Sequence, residues 1–369
     1  LTDPLVGAEA LVDEVVGDLA AGWDLAGALP DEALRTLGRA GLLCAEVPAE
    51  YGGLGVSSLA NGQFTAHVGS RCSSLRSVLT SQGMAAWTVQ RLGDAVQRAA
   101  YLPRFAAGAL GAVAFSEPDA GSDLSGMTAE ILPDGDEVVL TGQKVWTTAA
   151  LYADLIVVIC RYGAGAAVVV VPADAPGVVV RRVENPSGCR AAGHADIHFD
   201  AVRLPISAVL GGGGQPLALL VTTALAYGRM SVAWGCVGIL RACLAAAGRH
   251  AGTRRQFGKP LAAHQLVAGH LAGLLMGEQV ATRVCEHASR CWDSRSPEMV
   301  VATVLAKYVS ATQAAQGAAA AVQVLGSVAA HDGHLVARAY RDAKLMELIE
   351  GSNEICQLIL AEHVVATTS

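Results

Sequence analysis

The sequence predicts an α+β chain in three parts: an N-terminal α-helical domain over residues 1–111, a middle antiparallel β domain over 112–212, and a C-terminal four-helix bundle over 213–369. Three observations carry this reading. Residues 5–110 hold helix-start signals and helically spaced apolar residues. From about Gly111 to Leu210, short β-branched runs alternate with turn residues. After Gly211–Gly214, long Ala, Leu and Val segments return at helical period. A chain of 369 residues can bury a core large enough for two or three packed domains.

Taken in order, Asp31 and Glu32 follow Pro30 as first-turn carboxylates and start a helix. Glu50-Tyr51-Gly52-Gly53-Leu54-Gly55 is a loop, after which Ser57 or Ser58 caps the next helix. Strands are expected at 137–141, 155–160, 167–171, 178–183 and 197–199. Pro133-Asp134-Gly135-Asp136 and Gly163-Ala164-Gly165 are turn material between such runs.

Hydrophobic residues make up 52% of the chain and charged residues 16%, with a mean hydropathy of +0.41, yet aromatics are only 5%. Small residues therefore carry the excess, which predicts tightly packed helices and apolar surface hidden between subunits. Residues 310–330 and 208–228 lack formal charge for about the length of a membrane span. Glutamines and alanines in the first, and four glycines and Pro216 in the second, favour core helices and no membrane. The net charge of −7 comes without a basic stripe, which excludes nucleic acid as a partner class. Nine cysteines occur without a C-x-x-C pair, mostly among Ala, Leu and Val; buried, reduced thiols and a cytoplasmic location are expected. Leu1-Thr2-Asp3-Pro4 lacks the basic-then-apolar pattern of a signal peptide.

Several apparent motifs dissolve on inspection. Gly163-x-Gly165 lacks the third glycine of a dinucleotide fingerprint and is followed by a strand, so it reads as a hairpin turn. Gly211–Gly214 is a domain linker. His331-Asp332-Gly333-His334 has no second cluster to complete a metal site and reads as a surface loop; no metal is expected.

Five segments are better placed for chemistry. In residues 115–123, Pro118, Ala120 and Gly121 force a non-helical backbone with N–H groups free for a planar or phosphate acceptor. Trp146 could shield an oxidisable ring from water while a hydroxyl at Thr148 donates to it. In Arg254-Arg255-Gln256-Phe257-Gly258-Lys259, with Gln265 beyond, an aromatic inside a basic run needs a partner. Gln323-Val324-Leu325-Gly326 ends an Ala-rich helix. Finally, Glu350 lies among Leu345, Leu348, Ile349 and Ile355, where burial would make its carboxylate more basic and fit it for removing an α-proton.

In order and spacing these segments resemble the acyl-CoA dehydrogenase family, and the resemblance spans essentially the whole chain. It implies FAD as cofactor, an acyl thioester on CoA or acyl carrier protein as substrate, an external electron acceptor, and a homodimer or homotetramer. Glu350 is implied as the base, with the β-hydrogen leaving as hydride to flavin N5. Phe115, Ser116, Ser122, Trp146, Thr148, Ser352 and Glu354 are implied flavin contacts. Arg254, Phe257, Gln265, Gln323 and Gly326 are implied contacts to the rest of the cofactor, across a subunit boundary. Ser122, Arg229 and Gly351 are implied substrate contacts. Ser116 replaces the family's threonine with its hydroxyl retained, and Ser327 replaces a second glycine after Gly326. Ala226 replaces an aspartate that helps hold the CoA arm, and Ile349 a common tyrosine. Some relatives carry the base at the position of Gly228, where this chain has no carboxylate. Within the family the chain is similar to carrier-protein-linked dehydrogenases of polyketide biosynthesis, including those of methoxymalonyl extender-unit formation, which handle a small polar three-carbon acyl group. The alternatives are flavin-dependent oxygen chemistry on the same fold, or a non-catalytic homologue that binds a carrier protein.

Overall fold

The computed structural model describes residues 4–368. Six helices come first: α1 (Ala8–Val16), α2 (Ala20–Ala26), α3 (Asp31–Arg39), α4 (Ser58–Arg71), α5 (Ser73–Leu92) and α6 (Ala95–Ala106). The strands β1 (Gly111–Ala114), β2 (Glu130–Asp134), β3 (Glu137–Thr147), β4 (Leu155–Tyr162), β5 (Gly165–Pro172), β6 (Val178–Arg182) and β7 (Ala195–Pro205) follow. The rest is α7 (Leu217–Thr253), the two-residue strands β8 (Arg255–Gln256) and β9 (Lys259–Pro260), then α8 (Gln265–Asp293), α9 (Met299–Leu325), α10 (Leu335–Met346) and α11 (Asn353–Thr368).

Local chemistry explains the helix starts. Ser57, rather than Ser58, caps α4 by accepting from the Ala60 amide. Asp94 and Gln97 form a reciprocal capping box at α6. The sheet runs β1-β4-β2-β3-β7-β6, with β5 on β4. Its pairings are antiparallel except that β1 lies parallel to β4 and Glu130 of β2 makes one parallel pairing with Arg161. The strands β1 and β2 had no sequence signal of their own, one being four residues of small side chains and the other containing Pro133. Gly163, in the left-handed region, closes the β4–β5 hairpin, and Gly211–Gly214 joins the sheet to α7.

The C-terminal bundle has three long helices, and its fourth position is shared by α10 and α11, both packed on α9. Trp234 on α7 donates to Ser289 on α8, and Leu240 and Leu274 both lie against Gly317, so α8 runs opposite to α7. Gly317 of α9 faces Leu240, while Lys307 lies near the Gly228 end, so α9 runs alongside α7 in the same direction. α7 is long and apolar enough to cross a membrane, but 72% of its apolar window is buried in the bundle. All nine cysteines are free and buried, and burial pushes most of these thiols up, Cys44, Cys160, Cys236, Cys243 and Cys285 to about 12.

Small residues let α4 and α7 approach closely. A Cβ at Gly62 would lie 2.1 Å from Trp234 Nε1, and one at Gly238 would lie 2.2 Å from the Ala66 carbonyl oxygen. A Cβ at Gly248, on the same helix α7, would meet nothing within 4 Å. In urea denaturation, Gly238→Ala is expected to lose about 1–3 kcal/mol by overpacking, whereas Gly248→Ala gains up to about 1 kcal/mol from helix propensity. Equal effects at the two positions would count against this packing.

Candidate active site

α10 carries the chain back along α7: Leu335 and Ala339 lie near Ile239 and Ala242, and Met346 lies beside the Arg76–Gly235 contact. The turn after α10 therefore delivers Glu350 to Gly228. A Cβ at Gly228 would sit 2.1 Å from Glu350 Oε2, so the absence of a side chain there is what admits the carboxyl group. Glu350 is in the left-handed region (φ 57°), and Gly351 follows at φ 85°. Two cations hold this strained turn. Arg229 Nε donates to the Glu350 carbonyl at 3.0 Å, and Lys307 Nζ donates to the Gly351 carbonyl at 2.8 Å and to Asn353 Oδ1 at 3.2 Å. The Asn353 amide closes the turn on the Glu347 carbonyl at 2.9 Å.

The Glu350 Oε2 is shut off from solvent and has no hydrogen-bond partner. Burial pushes this carboxyl up to about 7, opposed in part by the positive charges of Arg229, Lys307 and Arg76. Burial also holds the pKa of Arg229 and Lys307 below their usual values. A half-buried carboxyl with one free oxygen shut off from solvent, poised near neutrality, is the protonation chemistry a general base needs.

The second part of the site comes from the sheet. The register of β3 against β7 shifts between Lys144 and Thr147, and this irregularity turns Trp146 outward at φ 54° with 55% of its surface exposed. The loop after β1 is stapled to the same strand. The Val145 amide donates to the Ser116 carbonyl at 2.8 Å, and the buried Lys144 Nζ reaches both the Phe115 carbonyl and Glu117 Oε1 at 2.8 Å. Burial alone would raise the Glu117 carboxyl, but Lys144 and Thr128 outweigh it and hold it low. Thr148 Oγ1 lies 3.3 Å from Nδ1 of His194, whose pKa burial pushes down to about 4, and His194 Nε2 has no partner. Ser81 of α5 donates to the Thr148 carbonyl, and its neighbour Thr80 bonds Ser231 of α7 at 2.6 Å. Thus α5 ties the Trp146–Thr148 edge to the α7 face that carries Glu350.

The expected residues fall into two groups. Phe115, Ser116, Trp146, Thr148, Glu350, Gly351 and Ser352 belong to this end, where Ser352 Oγ accepts from the Ile355 amide at 3.4 Å at the start of α11. Ser122 and Glu354 are exposed. Arg229 is buried against the Glu350 backbone rather than facing outward. Arg254, Phe257 and Gln265 lie beyond the opposite end of α7; Arg254 is 26 residues past Gly228, about 39 Å along a helix. Gln323 and Gly326 are at that far end too, beside an open cavity of ≈ 530 Å³ lined by Ser327, Val328, His331, Gly333 and His334. Sequence reading missed Arg76, Lys144, Glu117, His194 and Lys307. Of these, Glu117 lies inside the recognised segment 115–123, where no role was read for it, and Lys144 stands two residues before Trp146.

The comparisons agree along the chain. Family models described as the N-terminal, middle and C-terminal domains of acyl-CoA dehydrogenase match residues 7–109, 112–202 and 218–365. This chain belongs to the acyl-CoA dehydrogenase family. It is 31% identical to the probable acyl-CoA dehydrogenase YngJ of Bacillus subtilis, covering 92% of this chain and 91% of that one. It is also 31% identical to a glutaryl-CoA dehydrogenase of Desulfococcus multivorans, covering 92% and 90%. Among solved structures it resembles FkbI, for biosynthesis of the methoxymalonyl extender unit of the Fk520 polyketide, at 62% identity and TM-score 0.93 over 97% of this chain and 99% of that one. It also resembles a glutaryl-CoA dehydrogenase from Mycobacterium smegmatis at 29% identity and TM-score 0.92, covering 99% and 95%. Membership implies an oxidoreductase that uses a flavin.

The donor set fits such a ring: an exposed indole and a hydroxyl at Thr148 beside His194 form one edge, and Ser81, Thr80 and Ser231 tie it to the helix on which the unpartnered Glu350 Oε2 rests. Gly228→Ala is expected to displace the carboxyl by an ångström or more and slow flavin reduction on the order of 100-fold, with flavin content unchanged. Wild-type rates in that variant would disprove the Gly228–Glu350 contact.

Proposed function

We propose that this chain is an FAD-dependent dehydrogenase of a small acyl thioester, carried on CoA or an acyl carrier protein, in polyketide extender-unit biosynthesis. The observation that carries the reading is the unpartnered Oε2 of the half-buried Glu350, shut off from solvent against Gly228 in a carboxyl held near neutrality. The pathway assignment draws on the 62% identity to FkbI.

In this reading Glu350 removes the α-proton of the thioester. Its left-handed turn, clamped by Arg229 and Lys307, fixes where the carboxyl stands. Burial of Oε2 against Gly228 withdraws it from water, so the carboxylate is a stronger base than in solution. Trp146 would cover one face of the ring, and Thr148 would offer a hydroxyl to its edge. When bound, the flavin supplies the two-electron acceptor for the β-hydrogen.

The two ends of α7 support a shared cofactor site. Phe257 is 94% exposed in the left-handed region at the tip of the β8–β9 hairpin, beside the exposed Arg254. About 39 Å of helix separates that tip from Glu350 of the same chain. Arg254, Phe257, Gln265, Gln323 and Gly326 would then hold the pyrophosphate and adenosine of a cofactor whose ring lies in a neighbouring copy. That arrangement requires at least a homodimer, and turnover would need an external electron acceptor.

Glu350→Gln is expected to keep its flavin and slow anaerobic bleaching by acyl thioester at least about 1,000-fold; retained turnover would remove Glu350 from the role. Because the base must be ionised, the wild-type bleaching rate should climb as pH rises through about 7 and level off above it. Stability has the opposite sign. The folded protein keeps this proton between the ordinary carboxyl value of 4.5 and about 7, whereas the unfolded chain releases it, so rising pH costs stability across that window. Glu350→Gln should lack that loss, and its melting temperature relative to wild type should rise from pH 5 to pH 8. Separately, Arg254→Ala is expected to lose flavin on dialysis, and unchanged content would count against the pyrophosphate assignment.

A further inference from the structure

Cys291, near the end of α8, stands apart from the other cysteines in what its sulfur meets. Among the described residues it is the cysteine whose Sγ lies beside an imidazole, 3.7 Å from His287 Nε2. The two residues are four apart on α8 and so project from one face of the helix. The Glu298 carboxylate joins them from beyond the α8–α9 turn, and the three ligand atoms all lie within 4.8 Å of one another. Cys291 is 6% exposed, whereas His287 and Glu298 reach solvent, so the trio is anchored in the core and open on its outer side.

The backbone fixes this arrangement. The Ser296 amide donates to the Cys291 carbonyl at 2.8 Å, the Arg295 amide to the Trp292 carbonyl at 3.0 Å, and the Glu298 amide to Ser296 Oγ at 3.2 Å. Glu298 occupies the N-cap position of α9, yet its side chain accepts no capping hydrogen bond. The neighbouring acids are already engaged: Asp293 accepts from the Ser58 and Leu59 amides, and Glu286 pairs with Arg283 and Arg290. By contrast, among the described residues no side chain outside the trio bonds to His287, Cys291 or Glu298.

The chemistry and the spacing select the same kind of ligand. A thiolate, an imidazole and one carboxylate suit zinc or a similar transition ion rather than magnesium or calcium, which prefer all-oxygen sites. In a tetrahedral zinc site, bonds of about 2.3 Å to sulfur and about 2.1 Å to nitrogen set those two atoms about 3.6 Å apart. The observed separation is 3.7 Å.

We propose that His287, Cys291 and Glu298 bind a thiophilic divalent transition-metal ion, with water in the fourth position. Binding forms metal–sulfur, metal–nitrogen and metal–oxygen bonds and releases the Cys291 thiol proton to solvent, so affinity falls as pH falls. The ion is a clip between the end of α8 and the start of α9. It closes the turn where Trp292 stacks on Trp87 at 4.5 Å and meets Tyr227, the neighbour of Gly228. The site is independent of the flavin and of the reaction at Glu350.

The test titrates cobalt(II) into reduced, chelator-treated, flavin-loaded protein under anaerobic conditions. Wild type should bind one ion per chain with a thiolate-to-cobalt charge-transfer band and long-wavelength ligand-field bands that lie clear of the flavin. Zinc should displace the cobalt and abolish both. Cys291→Ser should remove the charge-transfer band, and His287→Ala and Glu298→Gln, both at exposed positions, should each weaken binding at least about tenfold. Zinc should also raise the melting temperature of wild type and leave that of His287→Ala unmoved. A wild type without the charge-transfer band, or binding and melting shifts that are equal in wild type and His287→Ala, overturns the proposal.

Discussion

The geometry around Glu350 depends on where its backbone carbonyl points. In the left-handed conformation a residue with a side chain is strained, and the strain persists only because the surroundings determine the turn. Here Arg229 takes the Glu350 carbonyl and Lys307 the next one, so two buried cations spend their hydrogen bonds on main-chain oxygens. The carboxyl is left free, close to positive charge but bonded to none of it. A direct ion pair would depress its pKa and blunt it as a base. Holding the backbone instead positions the group while burial keeps it basic.

The same economy recurs at the other edge of the site. Lys144 and Glu117, both buried, do not face the indole; they lock the loop after β1 to the last residues of β3. The register shift next to Lys144 then turns Trp146 out of the sheet. Through Ser81 and Thr80, α5 links this edge to α7. One long helix thus sets the spacing of the whole molecule. Its Gly228 and Gly235 admit Glu350 and Arg76, and its far end leads into the Arg254–Phe257 hairpin.

Much of this was legible in the residues. The change from helical to alternating apolar pattern near Gly111, and back after Gly214, separated the sheet from the helices. The hydrophobic neighbours of Glu350 suggested a carboxyl that burial would make basic, although Leu348 is 54% exposed and Leu345, Ile349 and Ile355 are only half-buried, so the burial of Oε2 comes from Gly228 on α7. The missing carboxylate at Gly228 was visible as well, although not that the glycine makes room for Glu350 itself. The strand β1 escaped notice because four small side chains carry no period, and its parallel place beside β4 depends on a partner more than 40 residues away. Arg76, Lys307 and the role of Glu117, although its segment was singled out, were illegible for the same reason. Each is an ordinary charged residue in its local sequence, and becomes notable only when folding brings Met346, Gly351 or Lys144 against it.

The buried cysteines have a practical consequence. A sulfhydryl whose proton is held far above neutral pH offers almost no nucleophile to an alkylating reagent or to disulfide exchange. Such groups are spread through the helical core and the sheet alike, at Cys44, Cys160, Cys236, Cys243 and Cys285. Modification at these positions must wait for the molecule to open, so the pace of labelling records how often each region breathes, without any engineered reporter.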